Sequence, residues 1–450
     1  MPELNTALSS YFSLTGNPFV DAGICAIEAY YERDSLSLTP DDLKIKIEEV
    51  IDLYLTDGWN KNMYSIFTGN CTFTNSSIKN KKEASRKYFQ DLLENFSLPS
   101  ISGTCIACGK RDALPQRKRH EIPLTGSGKL INFFSFATEG ERYCSVCTFA
   151  VQFIPLFLYS IGGKFLLLHS ISDKIMKYWA EKGINNIYEQ KASGVYTGCM
   201  QEGYKNGENA LFHIVEKIIQ ESEDIFQDEN PSITAYIFSN YGQNPPPMEI
   251  IHLPDNVFRF LVYVKRIDST SWNKIVKKGY ENCKTEDEYK WKGNQVYKYL
   301  LSEESIIEFF LEKDRSITGN WDIFSYYLKE VREMDNKRVE TLKKVADKIA
   351  DYIEQTDNVK RLFAIETAKS YENLRNVFLK ITKDMIAENI AEPLFTTDEF
   401  LDDLFPDGPL TWKETRDILL FRIYEKLFNY LKDKKPIIEE IKENEEVENE

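Results

Sequence analysis

The sequence predicts an α+β protein with a helical beginning, a small cysteine-rich module, a mixed middle and a helical end. Its 450 residues exceed one ordinary hydrophobic core, so we expect several packed units. Hydrophobic residues make up 42% of the chain, with 28 Phe and 25 Tyr, which excludes a disordered protein. The sequence pattern changes along the chain from helical periodicity to Gly, Ser and Cys and back again.

Residues 1–100 are predicted to form a mainly helical N-terminal region. Thr39 is a good N-cap, and Pro40 suits the first turn of a helix. Apolar residues then follow at helical spacing, at Leu43, Ile47, Val50, Ile51 and Tyr54.

Residues 101–150 have the composition of a loop-rich module, and residues 151–300 mix strand and helix patterns. In this mixed α/β middle, Ile233–Phe238 and Phe258–Val264 are rich in β-formers, whereas Leu211–Ile219 has a helical pattern. We therefore predict strands at the first two runs and a helix at the third.

Residues 301–435 are predicted to form a C-terminal helical bundle. The residues from Thr411 to Glu414 match a capping box at the start of its last helix. Residues 436–450 hold seven Glu against one Lys, so we expect an acidic disordered tail. The apolar stripes of the bundle comprise Val339, Leu342, Val345, Ile349 and Ile353, and Leu374, Phe378 and Ile381.

No basic and apolar leader precedes Thr15, so a cytoplasmic location and no membrane association are expected. The apolar stretch Val146–Leu168 is interrupted by polar residues, by Pro155 and by the pair Gly162-Gly163. Because such a glycine pair favours a tight turn, this stretch predicts a buried hairpin rather than a membrane span.

Four of the eight cysteines form two pairs of Cys-x-x-Cys spacing, which are Cys105 with Cys108 and Cys144 with Cys147. Two such turns can present four thiolates to one ion and complete a tetrahedral Zn²⁺ shell with no open position. The pattern therefore favours a zinc-ribbon-like four-cysteine module with structural zinc. A redox dithiol and unmetallated packing cysteines are the alternatives.

The segment between the two cysteine pairs carries a group of basic residues in an otherwise acidic chain, whose net charge is -15. Basic loops contact phosphates and base edges, so this segment is a candidate nucleic-acid surface, with an ordinary solvated loop as the alternative. The net charge argues against binding nucleic acid by bulk charge alone. The basic residues are Lys110, Arg111, Arg117, Lys118 and Arg119.

Catalytic patterns are weak in this sequence. It has four histidines, no His-Asp pair and no His-Glu-x-x-His motif, so a metal-dependent hydrolase site is hard to assemble. No carboxylate spacing singles out an acid and base pair. We expect no catalytic residues and no enzyme activity.

The segment Gly16–Gly23, followed by the two cysteine pairs, resembles the CXXC-CXXC family of CRISPR-associated proteins. These are the large subunits of type I-B and related type I-A Cascade, the RNA-guided surveillance complex of prokaryotic antiviral defence. The stretch Asn132–Ser135 and the apolar run after Cys147 also fit. Beyond about residue 165 only the helical C-terminus agrees.

The resemblance implies a non-catalytic subunit near the 5′ handle of the CRISPR RNA. Such a subunit reads the protospacer-adjacent motif in duplex DNA, aids R-loop formation and recruits the helicase-nuclease in trans. Its implied partners are the CRISPR RNA, the target DNA, the backbone and handle-binding subunits of Cascade, and a small subunit. That small subunit can arise by internal initiation, for which Met334 is a candidate start.

The resemblance assigns the four paired cysteines as zinc ligands and leaves the role of Gly16–Gly23 open. Asn17 either contacts a base or phosphate or caps the helix that Pro18 begins. The candidates for nucleic-acid contact are Asn17, Lys110, Arg111, Arg117, Lys118, Arg119 and Asn132. A carboxylate-dependent nuclease and a stand-alone zinc-ribbon DNA-binding regulator are the alternative functions.

Overall fold

The computed structural model describes residues 10–113, 116–125, 140–222, 231–241, 248–280, 283–311, 317–432 and 434. Asn132 and the acidic tail at 436–450 lie outside these ranges. The chain divides into two compact units. The first comprises residues 1–255 and 285–292, and the second comprises residues 256–284 and 293–450.

The predicted α+β fold class is confirmed, because helices surround one small sheet and the C-terminal part is helical. The helix predicted after Thr39 begins at Pro40, and the Thr39 side chain accepts a hydrogen bond from the backbone N–H of Asp42. The helices of the first unit are α1 (Pro18–Tyr31), α2 (Pro40–Leu55), α3 (Asp57–Phe67), α4 (Lys81–Glu94), α5 (Ser145–Val151), α6 (Asp173–Ser193) and α7 (Gly207–Glu221).

The five described strands of the first unit form one sheet in the order β3-β1-β2-β4-β5. Neighbouring strands are antiparallel except β1 and β3, which are parallel. The buried β2 lies at its centre, with Leu166 and Leu168 paired to Ile237 and Ala235 of β4. The strands are β1 (Tyr159–Ile161), β2 (Lys164–His169), β3 (Met200–Gln201), β4 (Thr234–Phe238) and β5 (Met248–His252).

The hairpin predicted around Gly162-Gly163 is confirmed. Strands β1 and β2 pair across the two glycines, whose φ angles are 53° and 86°. Positive φ at both central residues is the geometry that favours glycine in a two-residue hairpin. Among the described residues, no helix combines the length and the apolar character needed to cross a membrane.

The strand predicted at Phe258–Val264 is wrong, because this run lies in helix α8 (Asp255–Lys278). Its buried residues, among them Phe258, Leu261 and Val264, follow a helical spacing of three residues. The strand was predicted from the β-branched and aromatic composition of this run rather than from its spacing, although composition is the weaker signal. The strand predicted at Ile233–Phe238 and the helix at Leu211–Ile219 are confirmed as β4 and α7.

The C-terminal part of the chain is helical as predicted, and the apolar stripes of α11 and α13 are buried as expected. The second unit begins at residue 256, so it also contains helices from the region predicted as a mixed middle. Helices α11 and α14 form its largest packing interface. The helices of this unit are α8, α9 (Gln295–Leu301), α10 (Trp321–Glu330), α11 (Asn336–Thr356), α12 (Val359–Glu366), α13 (Tyr371–Ala387) and α14 (Trp412–Lys432).

The capping box predicted at Thr411 does not form. A 3-10 turn at Gly408–Thr411 leads directly into α14, and the Thr411 hydroxyl donates to the Gly408 carbonyl. The Glu414 carboxylate instead pairs with Arg338, at 3.3 Å. The start of the helix is where the sequence predicts it, but the tertiary ion pair takes the side chain that the capping box requires.

Candidate metal centre

The two cysteine pairs lie on two different local structures of the first unit. Cys105 and Cys108 stand on a tight turn, which Gly109 closes by donating its backbone N–H to the Cys105 carbonyl at 2.8 Å. Cys144 is the N-cap of α5, and Cys147 lies in the first turn of that helix. A helix N-terminus stabilises negative charge, so it is a favourable place for thiolates.

The four sulfur atoms all lie within 4.8 Å of one another. Sulfurs at the corners of a tetrahedral Zn²⁺ shell, with Zn–S bonds of about 2.3 Å, lie about 3.8 Å apart. The distance of 4.0 Å between the Cys108 and Cys144 sulfurs is close to this value. Cys108 is half-buried and the other three cysteines are buried, so the cluster is compatible with a metal site.

Crowding of the four thiols shifts their pKa values in opposite directions. Hydrogen bonding with Cys108 raises the pKa of Cys105, but hydrogen bonds from Cys144 and Cys147 outweigh it and lower the pKa to about 6. Hydrogen bonds from the other three thiols, led by Cys105, hold the pKa of Cys108 well below its usual range. Sharing their protons with Cys105 and Cys108 raises the pKa values of Cys144 and Cys147. The site thus favours thiolate at its first pair.

Backbone hydrogen bonds hold the two halves of the module together. The Arg111 carbonyl accepts from the N–H groups of Thr104 and Cys105, both at 2.9 Å. Arg117 and Glu141 exchange two backbone hydrogen bonds of 2.8 Å, shortly before Cys144. The first two bonds order the Cys105 turn, and the Arg117–Glu141 bonds join the segment after that turn to the segment before Cys144.

The segment Gly16–Gly23 packs directly against the module. Asn17 caps α1, since its side-chain oxygen accepts from the N–H groups of Phe19 and Val20. Its amide nitrogen also lies 3.3 Å from the hydroxyl of Tyr143, the residue before Cys144. The Asn17 side chain therefore caps the helix and connects it to the second cysteine pair. Helix capping is one of the two roles that the sequence predicts for Asn17.

Asp21 and Gly23 complete this contact. The buried Asp21 carboxylate accepts from Thr15 and from the backbone N–H of Gly16, which orders the loop before α1. A Cβ atom on Gly23 would lie 2.0 Å from the Ala150 carbonyl oxygen of α5. Only glycine allows α1 to approach the helix that carries Cys147 so closely.

Arg111 lies inside the protein, with 2% of its surface exposed. Its Nε donates to the Ser97 carbonyl at 2.8 Å, and its Nη2 donates to the Tyr11 carbonyl. The guanidinium therefore connects the module to two earlier segments of the chain. Whether it also meets nucleic acid stays a prediction.

Replacing Arg111 by alanine is expected to lower the free energy of unfolding by about 3 kcal/mol, because the hydrogen bonds from a buried, charged donor to two backbone carbonyls are lost. Lys110→Ala is the matched control, since Lys110 is the exposed neighbour of Arg111. We expect it to change the free energy by less than about 0.5 kcal/mol. Urea unfolding of both variants measures the difference, and equal free energies would contradict a structural role for Arg111.

Arg119 and Arg117 also make contacts within the first unit. The buried Arg119 donates through Nη2 to the backbone carbonyl of Asn240 and to its side-chain oxygen, the latter at 2.9 Å. Arg117 forms an ion pair of 2.7 Å with Glu121. Of the seven candidates for nucleic-acid contact, Lys110 is exposed, and Lys118 is half-buried. Asn132 lies outside the described residues.

Two contributors to this region were missed by sequence reasoning. Tyr143 meets Asn17, and the buried Asn240 side chain donates to the carbonyls of Ile66 and Arg119 at 2.8 and 2.9 Å. Asn240 lies in a turn-rich segment, where asparagine is ordinary, so no local signal marked it. The sequence does not indicate that the tyrosine next to Cys144 contacts Asn17; only the structure shows this contact.

Fold and site together define an α+β protein in which a four-cysteine centre is packed against an N-terminal helix. A family model described as CRISPR-associated protein (Cas_CXXC_CXXC) matches residues 100–159. The matched part holds all four paired cysteines and α5, and supports a CRISPR-associated protein of that family. None of the curated proteins matches the chain significantly.

Proposed function

We propose that the chain is the large subunit of a type I-B Cascade complex and is not an enzyme. In this role it contacts the 5′ handle of the CRISPR RNA, reads the protospacer-adjacent motif in duplex DNA and aids R-loop formation. It then recruits the helicase-nuclease for antiviral defence. The observation that carries the proposal is the packing of Gly16–Gly23 against the four-cysteine centre, since both features resemble this family.

Zn²⁺ is the metal proposed for the centre, held by Cys105, Cys108, Cys144 and Cys147. Four thiolates are the ligands of structural zinc sites, and a closed shell leaves no position for substrate or water. The ion then neutralises charge among the four sulfurs and links the two cysteine turns. Its role is to hold the module and, through Tyr143 and Ala150, the N-terminal helix.

The acidic net charge of -15 is consistent with this role if the complex supplies the positive charge. In RNA-guided systems the protein reads a short motif and duplex shape, while base pairing reads the remaining sequence. The chain then needs a few basic contacts, for which Lys110 and Lys118 are the proposed residues near the centre. Basic neighbouring subunits and the bound RNA form the rest of the channel.

A separate small subunit starting at Met334 is part of the same proposal. The contacts of α10 in the second unit indicate what this shorter product would lose. Such a product lacks α10, whose Phe324 ring stacks on Phe421 of α14 at a centroid distance of 4.2 Å. Trp321 of α10 also donates its backbone N–H to Glu425, at 2.7 Å. A product from Met334 therefore needs a partner that covers this apolar surface.

The test is a native pull-down of the tagged chain from its host, with sequencing of bound RNA and identification of co-purifying proteins. We expect short RNAs of uniform length with a shared repeat-derived 5′ end, together with a many-copy backbone subunit. The Cys108→Ser variant should recover less of both, while Cys283→Ser, outside the centre, should match the wild type.

Recovery of the chain alone and free of RNA would contradict the Cascade role. Metal-dependent DNA cleavage by the purified chain, abolished by one Asp or Glu substitution, would favour the nuclease instead. Tight binding of duplex DNA by the isolated chain at physiological salt would favour the stand-alone regulator.

A further inference from the structure

Helix α13 carries three exposed cations that have no ion pair among the described residues. They are Arg375, Lys380 and Lys383. Several other cations of the same unit are paired, as in Arg361 with Asp384 at 2.7 Å and Lys344 with Glu399 at 3.1 Å. The outer side of α13 therefore carries positive charge that no ion pair of the described residues compensates.

These cations share one face with two exposed apolar side chains. At 3.6 residues per turn, Arg375, Leu379, Lys383 and Ile386 fall within a sector of about 80°, and Lys380 lies beside it. Leu379 is 48% exposed and Ile386 is 68% exposed. The exposed face of α13 is thus both basic and apolar.

Acidic groups near this face do not neutralise it. Glu372 lies in the first turn of α13, one turn before Arg375 on the same side of the helix, and among the described residues no ion pair joins the two. The Asp384 carboxylate is taken by Arg361 and by the Tyr352 hydroxyl, the latter at 3.1 Å. Glu388 follows the end of the helix, on a different side from Leu379 by the helical period.

The described chain ends near the C-terminal end of α13. Lys434 pairs with Asp357, the C-cap of α11, at 2.8 Å, and the Tyr430 hydroxyl donates to the same carboxylate. Four residues further along the chain, Arg361 pairs with Asp384 in the last turn of α13. Four residues span at most about 14 Å, so residue 434 lies at the end of the bundle where α13 ends.

Residues 436–450 complement the face in both charge and hydrophobicity. They hold seven Glu against one Lys; Ile437 and Ile438 directly precede the first two glutamates, and Ile441 follows them. Fifteen residues reach up to about 50 Å, whereas the 17 residues of α13 extend over about 25 Å. The segment is therefore long enough to cover the whole face.

We propose that residues 436–450 dock on the exposed face of α13, with their glutamates on Arg375, Lys380 and Lys383 and their isoleucines on Leu379 and Ile386. The segment thereby competes with any anionic partner for this face. The contact is intramolecular and weakens as salt rises, because exposed ion pairs are screened. It does not depend on the Cascade proposal.

Zero-length carbodiimide crosslinking of the full chain tests the contact directly, because the reagent joins a lysine amine to a carboxylate that touches it. We expect crosslinks in the monomer from Lys380 and Lys383 to glutamates of residues 436–450 at 50 mM NaCl, and their loss at 500 mM NaCl. Lys274 and Lys277, exposed on α8 of the same unit, are the matched controls. Equal crosslinking to these controls, or crosslinks only between two chains, would overturn the proposal.

Binding of heparin as a polyanion tests the competition. Removal of residues 436–450 should tighten heparin binding by about fivefold at low salt. The same removal in the Lys380→Glu, Lys383→Glu background should have no effect, whereas a Lys274→Glu, Lys277→Glu background should keep the fivefold gain. An equal gain in all backgrounds would mean that the segment acts by net charge alone, which would refute docking on α13.

Discussion

The Cys108→Ser variant is expected to lose its bound metal and to melt at least about 10 °C below the wild type. Structural zinc contributes about 10–16 kcal/mol to the folding of zinc-finger peptides, and one missing thiolate opens the shell. Cys108 is the half-buried member of the cysteine cluster, so a serine there leaves little empty space in the core. The effect therefore reports on the lost ligand rather than on packing.

Elemental analysis for zinc and calorimetric melting are the measurements. Cys283→Ser is the matched control, since Cys283 is also half-buried and lies outside the sulfur cluster. It should keep one equivalent of zinc and the wild-type melting temperature. Full zinc content and unchanged melting in Cys108→Ser would contradict the metal site. A reversible disulfide without metal would favour the redox alternative.

The Gly23→Ala variant is expected to destabilise the first unit by about 3 kcal/mol or more, because its methyl group meets a backbone carbonyl that cannot move alone. The added Cβ would lie 2.0 Å from the Ala150 oxygen. Relief requires α1 to move away from α5, whose Phe149 packs in an aromatic cluster with Phe89 and Phe153. Displacement of one helix thus disturbs a shared core.

Urea unfolding measures this loss, and Gly203→Ala is its control. A Cβ at Gly203 meets no atom within 4 Å, and its backbone does not have the positive φ that requires glycine. We expect the control to stay within about 0.5 kcal/mol of the wild type. A free energy of unfolding for Gly23→Ala equal to that of the control would show that the approach of α1 to α5 is not needed.

Features with a short-range physical cause were predictable from the sequence. The helix after Thr39 and the hairpin at Gly162-Gly163 depend on capping, on spacing and on positive φ, all of which act within a few residues. The Cys105 and Cys144 turns belong to the same class, because a thiolate pair of fixed spacing is a local arrangement.

The strand prediction at Phe258–Val264 and the capping box at Thr411 were wrong for a different reason. In the first case a helical burial pattern opposed a β-forming composition, and packing followed the burial pattern. In the second, Arg338 lies far from Glu414 in the sequence but takes its carboxylate in the fold. The spacing was present in the sequence in the first case, whereas the second outcome depends on a distant neighbour that a local pattern cannot identify.

By itself, the sequence determined the α+β class, the four cysteines of the cluster, the helical C-terminal part and the acidic composition of residues 436–450. Only the tertiary structure decided that Arg111 and Arg119 turn inward and that Gly16–Gly23 packs on the four-cysteine centre. The physical reason is that a guanidinium can donate hydrogen bonds to water, to phosphate or to a carbonyl, so its chemistry alone does not select among them. Long-range packing chooses among these partners, because it alone places the carbonyls of Ser97, Tyr11 and Asn240 within reach.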